Sequence, residues 1–272
     1  MIRHGKGSSP RLRRGREAKG EHAASRHARE TAEAAGAPDP LRRSSPRAAR
    51  QLRALVLKDL RLELRTRDTL AAMALFALIA MVIFEFAVGS RTDDLTPFAG
   101  GILWATLALT AVLAVGRSWV PEREQRVLDG LLAAPVPRLV LLAARTIAIW
   151  LYMAAVELLA VPLAVVLFVE EPEAADLGWT ALVCLLADLG IGVLGALFAS
   201  MAVFARAREL LLPVLFLPSL LPVVIAAAGA THAVTGGPND LAEYRGYCMF
   251  LGVYAVIFGL VAYATYEYVF DD

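Results

Sequence analysis

The chain has little of what an enzyme needs. Two cysteines stand among 272 residues, and neither belongs to a C-x-x-C-H haem-attachment motif or to a zinc-binding spacing. Of four histidines, His4, His22 and His27 fall in the N-terminal stretch and His232 in a later loop. No Ser-His-Asp arrangement or metal-ligand spacing follows from them, so no active site and no resident metal are expected. No G-x-x-x-x-G-K-[ST] occurs, which excludes a P-loop in this chain. Gly190, Gly192 and Gly195 spell G-x-G-x-x-G, but inside an apolar helical run rather than after a strand, so the dinucleotide-binding reading fails. The apolar runs are continuous, not alternating, which argues against a membrane β-barrel. The N-terminus is basic without an adjoining apolar region, so a cleavable signal peptide is not expected.

What is present is apolar. Hydrophobic residues make up 58% of the chain, and the mean hydropathy is +0.57. Six stretches, 69–89, 98–118, 139–169, 177–205, 209–230 and 244–269, each reach the roughly 20 residues that a helix needs to cross a bilayer. Backbone polar groups cannot face lipid unpaired, so each stretch is predicted to be a helix. The expected fold is all-α: a polytopic membrane protein of six transmembrane helices.

The net charge of +1 hides an asymmetry, because residues 1–68 hold 18 of the 27 Lys and Arg residues. Arg117, Arg123, Arg126, Arg138, Arg206 and Arg208 fall on the same side of the predicted spans. The other side carries Arg91, Arg245 and an acidic loop with Glu170, Glu171, Glu173 and Asp176. The positive-inside rule then puts both termini in the cytoplasm, in agreement with six spans. Residues 1–50 are rich in Arg, Ala, Gly, Ser and Pro; they are expected to be a disordered basic tail, or residues read from an upstream start codon. The membrane domain is expected over 51–272.

Residues 51–67, QLRALVLKDLRLELRTR, have the pattern of an amphipathic helix on the membrane surface. Lys58, Arg61 and Arg65 share one face; Leu52, Leu55, Val56, Leu60 and Leu64 share the other. Asp59 and Glu63 sit within the apolar arc, where carboxylates need a partner. They either meet basic groups of a cytoplasmic loop or of another protein, or snorkel to water.

The loop VPEREQRVLDGLLAAPVPR, after the second span, predicts a cytoplasmic helix of three to four turns. Pro121 suits its first turn. Glu122 and Glu124 follow, where the helix dipole favours acids. Val127 with Leu131, and Leu128 with Leu132, pair at i,i+4 on either side of Asp129. Pro135 and Pro137 end it. Such a helix suits docking into a groove on a cytoplasmic partner; the alternative is an interfacial helix lying on lipid.

Within the spans, charges ask for a reason. Glu157 and Asp188 reach similar depth near the midplane, where they line a cavity, share a proton, meet a cation, or are satisfied in a helix interface. Arg145 is expected to snorkel from the start of its span. Pro213, Pro218 and Pro222 should bend or break the fifth span, giving a gating element or a static kink. Gly192 with Ala196, and Gly195 with Ala199, should let another helix approach closely. Cys184 and Cys248 fall near the outer ends of their helices, which permits a disulfide; two small thiols are the preferred reading. His232 stands outside the membrane, solvated or as a ligand to haem iron.

From about residue 51 to the C-terminus, the chain resembles the haem exporter protein B (CcmB) family. Three stretches carry the resemblance: KDLRLELR at 58–65, EREQRVLDGLLAAPVPR at 122–138 and LFASMAVFARARELLLPVLFLPSLLP at 197–222. The second is shared more loosely with ABC-2 permeases. Where many relatives carry Gly before the V-L-D segment, this chain has Arg126. The resemblance implies a permease subunit in the bacterial cytoplasmic (inner) membrane that serves c-type cytochrome biogenesis. It implies a separate CcmA-like ATPase that binds ATP, a CcmC-like haem-handling membrane protein, a haem chaperone and a homodimer. Haem enters as cargo rather than cofactor; no nucleic acid is involved. The tryptophan-rich motif of the haem-handling subunit is missing, which favours a mechanical role. The alternatives are an ABC-2 permease for a lipid, polysaccharide or drug, and a non-transporting scaffold for haem-handling proteins.

Overall fold

A computed structural model describes residues 40–92, 94–118, 137–169, 174–202, 208–235 and 240–269. Seven helices are described: α1 Pro40–Thr66, α2 Asp68–Gly89, α3 Thr96–Arg117, α4 Arg138–Phe168, α5 Ala174–Ala202, α6 Arg208–Thr235 and α7 Leu241–Val269. The packed body begins at Ala48. Residues 40–47 form the first turns of α1, inside the stretch expected to lack structure.

Six of these helices, α2 to α7, are long and apolar enough to cross a membrane. Their bounds fall within a few residues of the predicted spans, and α6 runs on to Thr235. The shortest, with 22 residues, measures about 33 Å, slightly more than a hydrocarbon core of about 30 Å.

Sequence neighbours pack side by side, and α3 and α5 sit innermost while α2 and α7 lie at the periphery. Trp104 and Leu107 of α3, Ile149 and Met153 of α4, Ile191 and Leu194 of α5, and Phe216 and Leu220 of α6 are fully buried. The outer surface of α2 and α7 presents Ile83, Phe86, Val256 and Leu260, the composition expected where helices meet acyl chains.

Small residues set the interior spacing. A β-carbon on Gly192 would stand 2.9 Å from the Thr146 carbonyl oxygen of α4. One on Gly195 would stand 2.4 Å from Val115 of α3 and 3.2 Å from Ile149 of α4. The absence of a side chain at these two positions is what lets α3 and α4 close onto α5.

Local polar contacts set the helix ends. Asp240 caps α7, its Oδ1 accepting the Ala242 and Glu243 N–H groups at 3.0 Å each, as an N-cap aspartate does. At the same end of the bundle, Tyr244 donates to the Trp179 carbonyl at 3.0 Å, and the two rings meet edge to face.

The break between α1 and α2 is sharper. Arg67 adopts φ 59°, ψ 14°, a left-handed conformation rare outside glycine. This one residue ends the surface helix and starts the first span.

Candidate functional site

Asp59 and Glu63 of α1 do not snorkel: they are 7% and 6% exposed. Lys58, Arg61 and Arg65 on the opposite face are exposed. The basic face is therefore kept, but on the other face the two acids are the buried residues, while Leu52, Leu55, Val56 and Leu60 are half-buried and Leu64 is exposed.

Glu63 reaches forward to α2. Its Oε1 accepts the Leu70 N–H at 2.7 Å. The turn residue Arg67 makes no side-chain cap, so Glu63 caps α2 from the preceding helix. A carboxylate there also faces the positive end of the α2 dipole.

Asp59 meets Arg145. The guanidinium Nη1 lies 3.2 Å from Asp59 Oδ2 and donates to the Ser118 carbonyl at 2.6 Å. Arg145 is 4% exposed, so the expectation that it snorkels is overturned. Its depth, two turns inside α4, and the inward placement of Asp59 bring the two charges together away from water. The one Nη1 nitrogen carries two N–H donors and serves the carboxylate and the carbonyl at once. Lys58 also approaches Asp59 at 3.0 Å, but its half-exposed ammonium adds little. Tyr152 donates to the Asp59 carbonyl through a longer, 3.5 Å contact.

The junction's position gives it meaning. Ser118 is the last residue described before the connection 119–136, and its hydroxyl folds back onto the Val115 carbonyl at 2.8 Å. Pro137 and Arg138 then open α4. Arg145 thus joins three elements: the surface helix α1, the end of α3 where the connection leaves, and α4 where it returns.

The sequence-predicted docking residues Glu122, Glu124, Val127, Leu128, Asp129, Leu131 and Leu132 lie outside the described residues. Arg65 stands exposed at the end of α1. Pro213, Pro218 and Pro222 all lie within α6, which continues as one helix through them, so the fifth span is not broken. Pro218 and Pro222 face outward. The α7 residue Tyr254 donates to the Ser219 carbonyl between them, a hydrogen bond onto backbone that proline loosens. Near the opposite end from α1, Trp104 donates to Thr231 at 2.9 Å, fixing α6 against α3, and His232 beside it is exposed. Cys184 and Cys248 are both free thiols.

Sequence reasoning missed the Arg145 junction. The available signal was a pair of orphans: acids in the apolar arc of α1 and a lone arginine just inside a span on the same side.

Six membrane-length helices with a surface helix pinned to one end define a polytopic α-helical membrane protein. The profile of the CcmB protein family matches residues 50–269, and the chain belongs to that family. It is 32% identical over 214 residues to heme exporter protein B of Rhodobacter capsulatus, covering 79% of this chain and 96% of the relative. It is 30% identical over 191 residues to heme exporter protein B of Paracoccus denitrificans, covering 70% and 86%. The heme exporter protein B of Bradyrhizobium diazoefficiens is 29% identical over 214 residues, covering 79% and 96%.

Proposed function

We propose that this chain is the force-transmitting membrane subunit of a haem-export system for cytochrome c maturation, driven by an ATPase on a separate protein. Family membership carries the coarser part: a membrane component of that system, not itself a catalyst. The mechanical part rests on one observation, the Arg145 junction, which ties α1, α3 and α4 to both ends of the connection 119–136.

In this reading, ATP binding moves the ATPase against the connection through Glu122, Glu124, Asp129 and the apolar pairs Val127–Leu131 and Leu128–Leu132. The displacement reaches α3 through Ser118 and α4 through its first turns. Arg145 makes the two helices and α1 move as a unit rather than singly. Helix α6, loosened by Pro213, Pro218 and Pro222, takes up the resulting tilt. The end carrying α1 is cytoplasmic, which places both termini inside; the Lys and Arg excess on that side supports it. A second copy of the chain, a CcmC-like haem-handling protein and a haem chaperone complete the assembly by analogy with the family. Haem, or the loaded chaperone, is the species released.

The test is deletion of the gene followed by haem staining of membrane proteins for covalently attached haem. Loss of the stain, restored by the full chain but not by Arg145→Gln inserted at the same level, supports both parts. Normal staining without the gene overturns the export reading. Restoration by Arg145→Gln overturns the mechanical one.

A further inference from the structure

The bundle interior holds a second polar group, whichever species is exported. Helix α5 seats Gly195 against Val115 of α3 and Ile149 of α4. Asp188 lies seven residues before Gly195, two turns along the same face. Val156 lies seven residues after Ile149 on the antiparallel α4, and Glu157 is next to it. The register therefore brings Asp188 to Glu157. Cys184, one turn before Asp188 on α5, is buried on the same face.

Glu157 is 6% exposed and Asp188 fully buried. Glu157 Oε1 and both carboxyl oxygens of Asp188 have no hydrogen-bond donor among the described residues. The residues one turn away on their own helices, Met153 and Ala160 of α4 and Cys184 and Ile191 of α5, are all buried. Helices α6 and α7 also pack on α5, and bring Val223 and Tyr254 to Gly190, two residues on and on nearly the opposite side from Asp188. Among the described residues the one buried cation is Arg145; it lies twelve residues from Glu157 along α4, about 18 Å, and is engaged by Asp59 and Ser118. The group does not assemble a metal site among the described residues.

Two ionised carboxylates buried at one level of adjoining helices, with no cation and no donor beside them, repel each other in a medium that barely screens them. A single proton removes the conflict. The protonated acid becomes a donor, and the other carboxylate accepts a short, charge-assisted hydrogen bond. We propose that Glu157 and Asp188 form a proton-binding site near the bilayer midplane, one proton being held between the two carboxyls. That bond joins α4 to α5 only while the proton is present; separating the two helices breaks it, and the proton leaves only where water reaches the acid.

Infrared spectroscopy of the purified full-length chain in lipid tests this. A protonated carboxyl gives a C=O stretch distinct from the carboxylate bands, and it shifts in heavy water. The expected wild-type spectrum contains such a band. Either Glu157→Gln or Asp188→Asn should remove it whole, because the new amide donates to the remaining carboxylate and no shared proton is needed. No such band in wild type overturns the proposal without any variant. Loss of only half the band in each variant also overturns it, since that describes two independent acids. Both variants are nearly isosteric, and monodisperse elution checks that they fold.

Discussion

Arg145 and Asp59 meet at 3.2 Å across 86 residues of sequence, both withdrawn from water. A buried ion pair contributes little net stability when intact, because desolvating both ions offsets their attraction. Losing one partner is different, since the other charge is left buried alone. Arg145→Ala should lower stability by about 3–5 kcal/mol, read as a lower midpoint of thermal unfolding in detergent. Asp59→Leu combined with Arg145→Met should recover much of that loss while still failing in haem attachment. Equal destabilisation by the single and double variants would refute the pairing.

Gly195 is filled by its neighbours. Gly195→Ala puts a carbon 2.4 Å from Val115 Cγ2, and overpacking of this kind costs about 1–3 kcal/mol. Val115→Ala in the same chain should restore most of it. Gly252→Ala on α7, with open space around the new carbon, should have no measurable effect. A thermal unfolding series of the three variants reads both expectations.

The α1–α2 corner offers two opposite changes. Glu63→Ala removes the cap on the Leu70 N–H and should cost about 1 kcal/mol. Arg67→Gly relieves a left-handed residue and should gain up to about 1 kcal/mol, less what glycine adds to the freedom of the unfolded chain. Opposite shifts in unfolding midpoint would confirm the corner.

The connection itself is tested by charge. Asp129→Lys, or Leu128→Asp with Leu132→Asp, should abolish covalent haem attachment while the chain still inserts at normal levels. Full activity of the double variant would end the docking reading.

Much of the fold was legible because membrane solvation is unforgiving: a continuous apolar run such as 244–269 has few choices but a helix. The glycines of α5 were legible for a related reason, since Gly192 and Gly195 in a spanning helix point to a close neighbour, though not to which one. What the sequence hid was partnership. Asp59 announced its need for a partner, but Arg145 lies far along the chain, and its long side chain reaches from α4 to α1 to meet it. The Glu63 cap was hidden because it acts across a left-handed corner at Arg67, a conformation that arginine does not advertise. The start of α1 at Pro40 ran against a composition poor in large apolar residues.

The most direct measurement compares ATP hydrolysis with covalent haem attachment in membranes carrying the complete assembly, with wild-type or Arg145→Gln chains at equal levels. If Arg145 transmits the stroke, hydrolysis continues in the variant while haem attachment falls at least tenfold. Haem attachment at the wild-type ratio to hydrolysis would contradict that role.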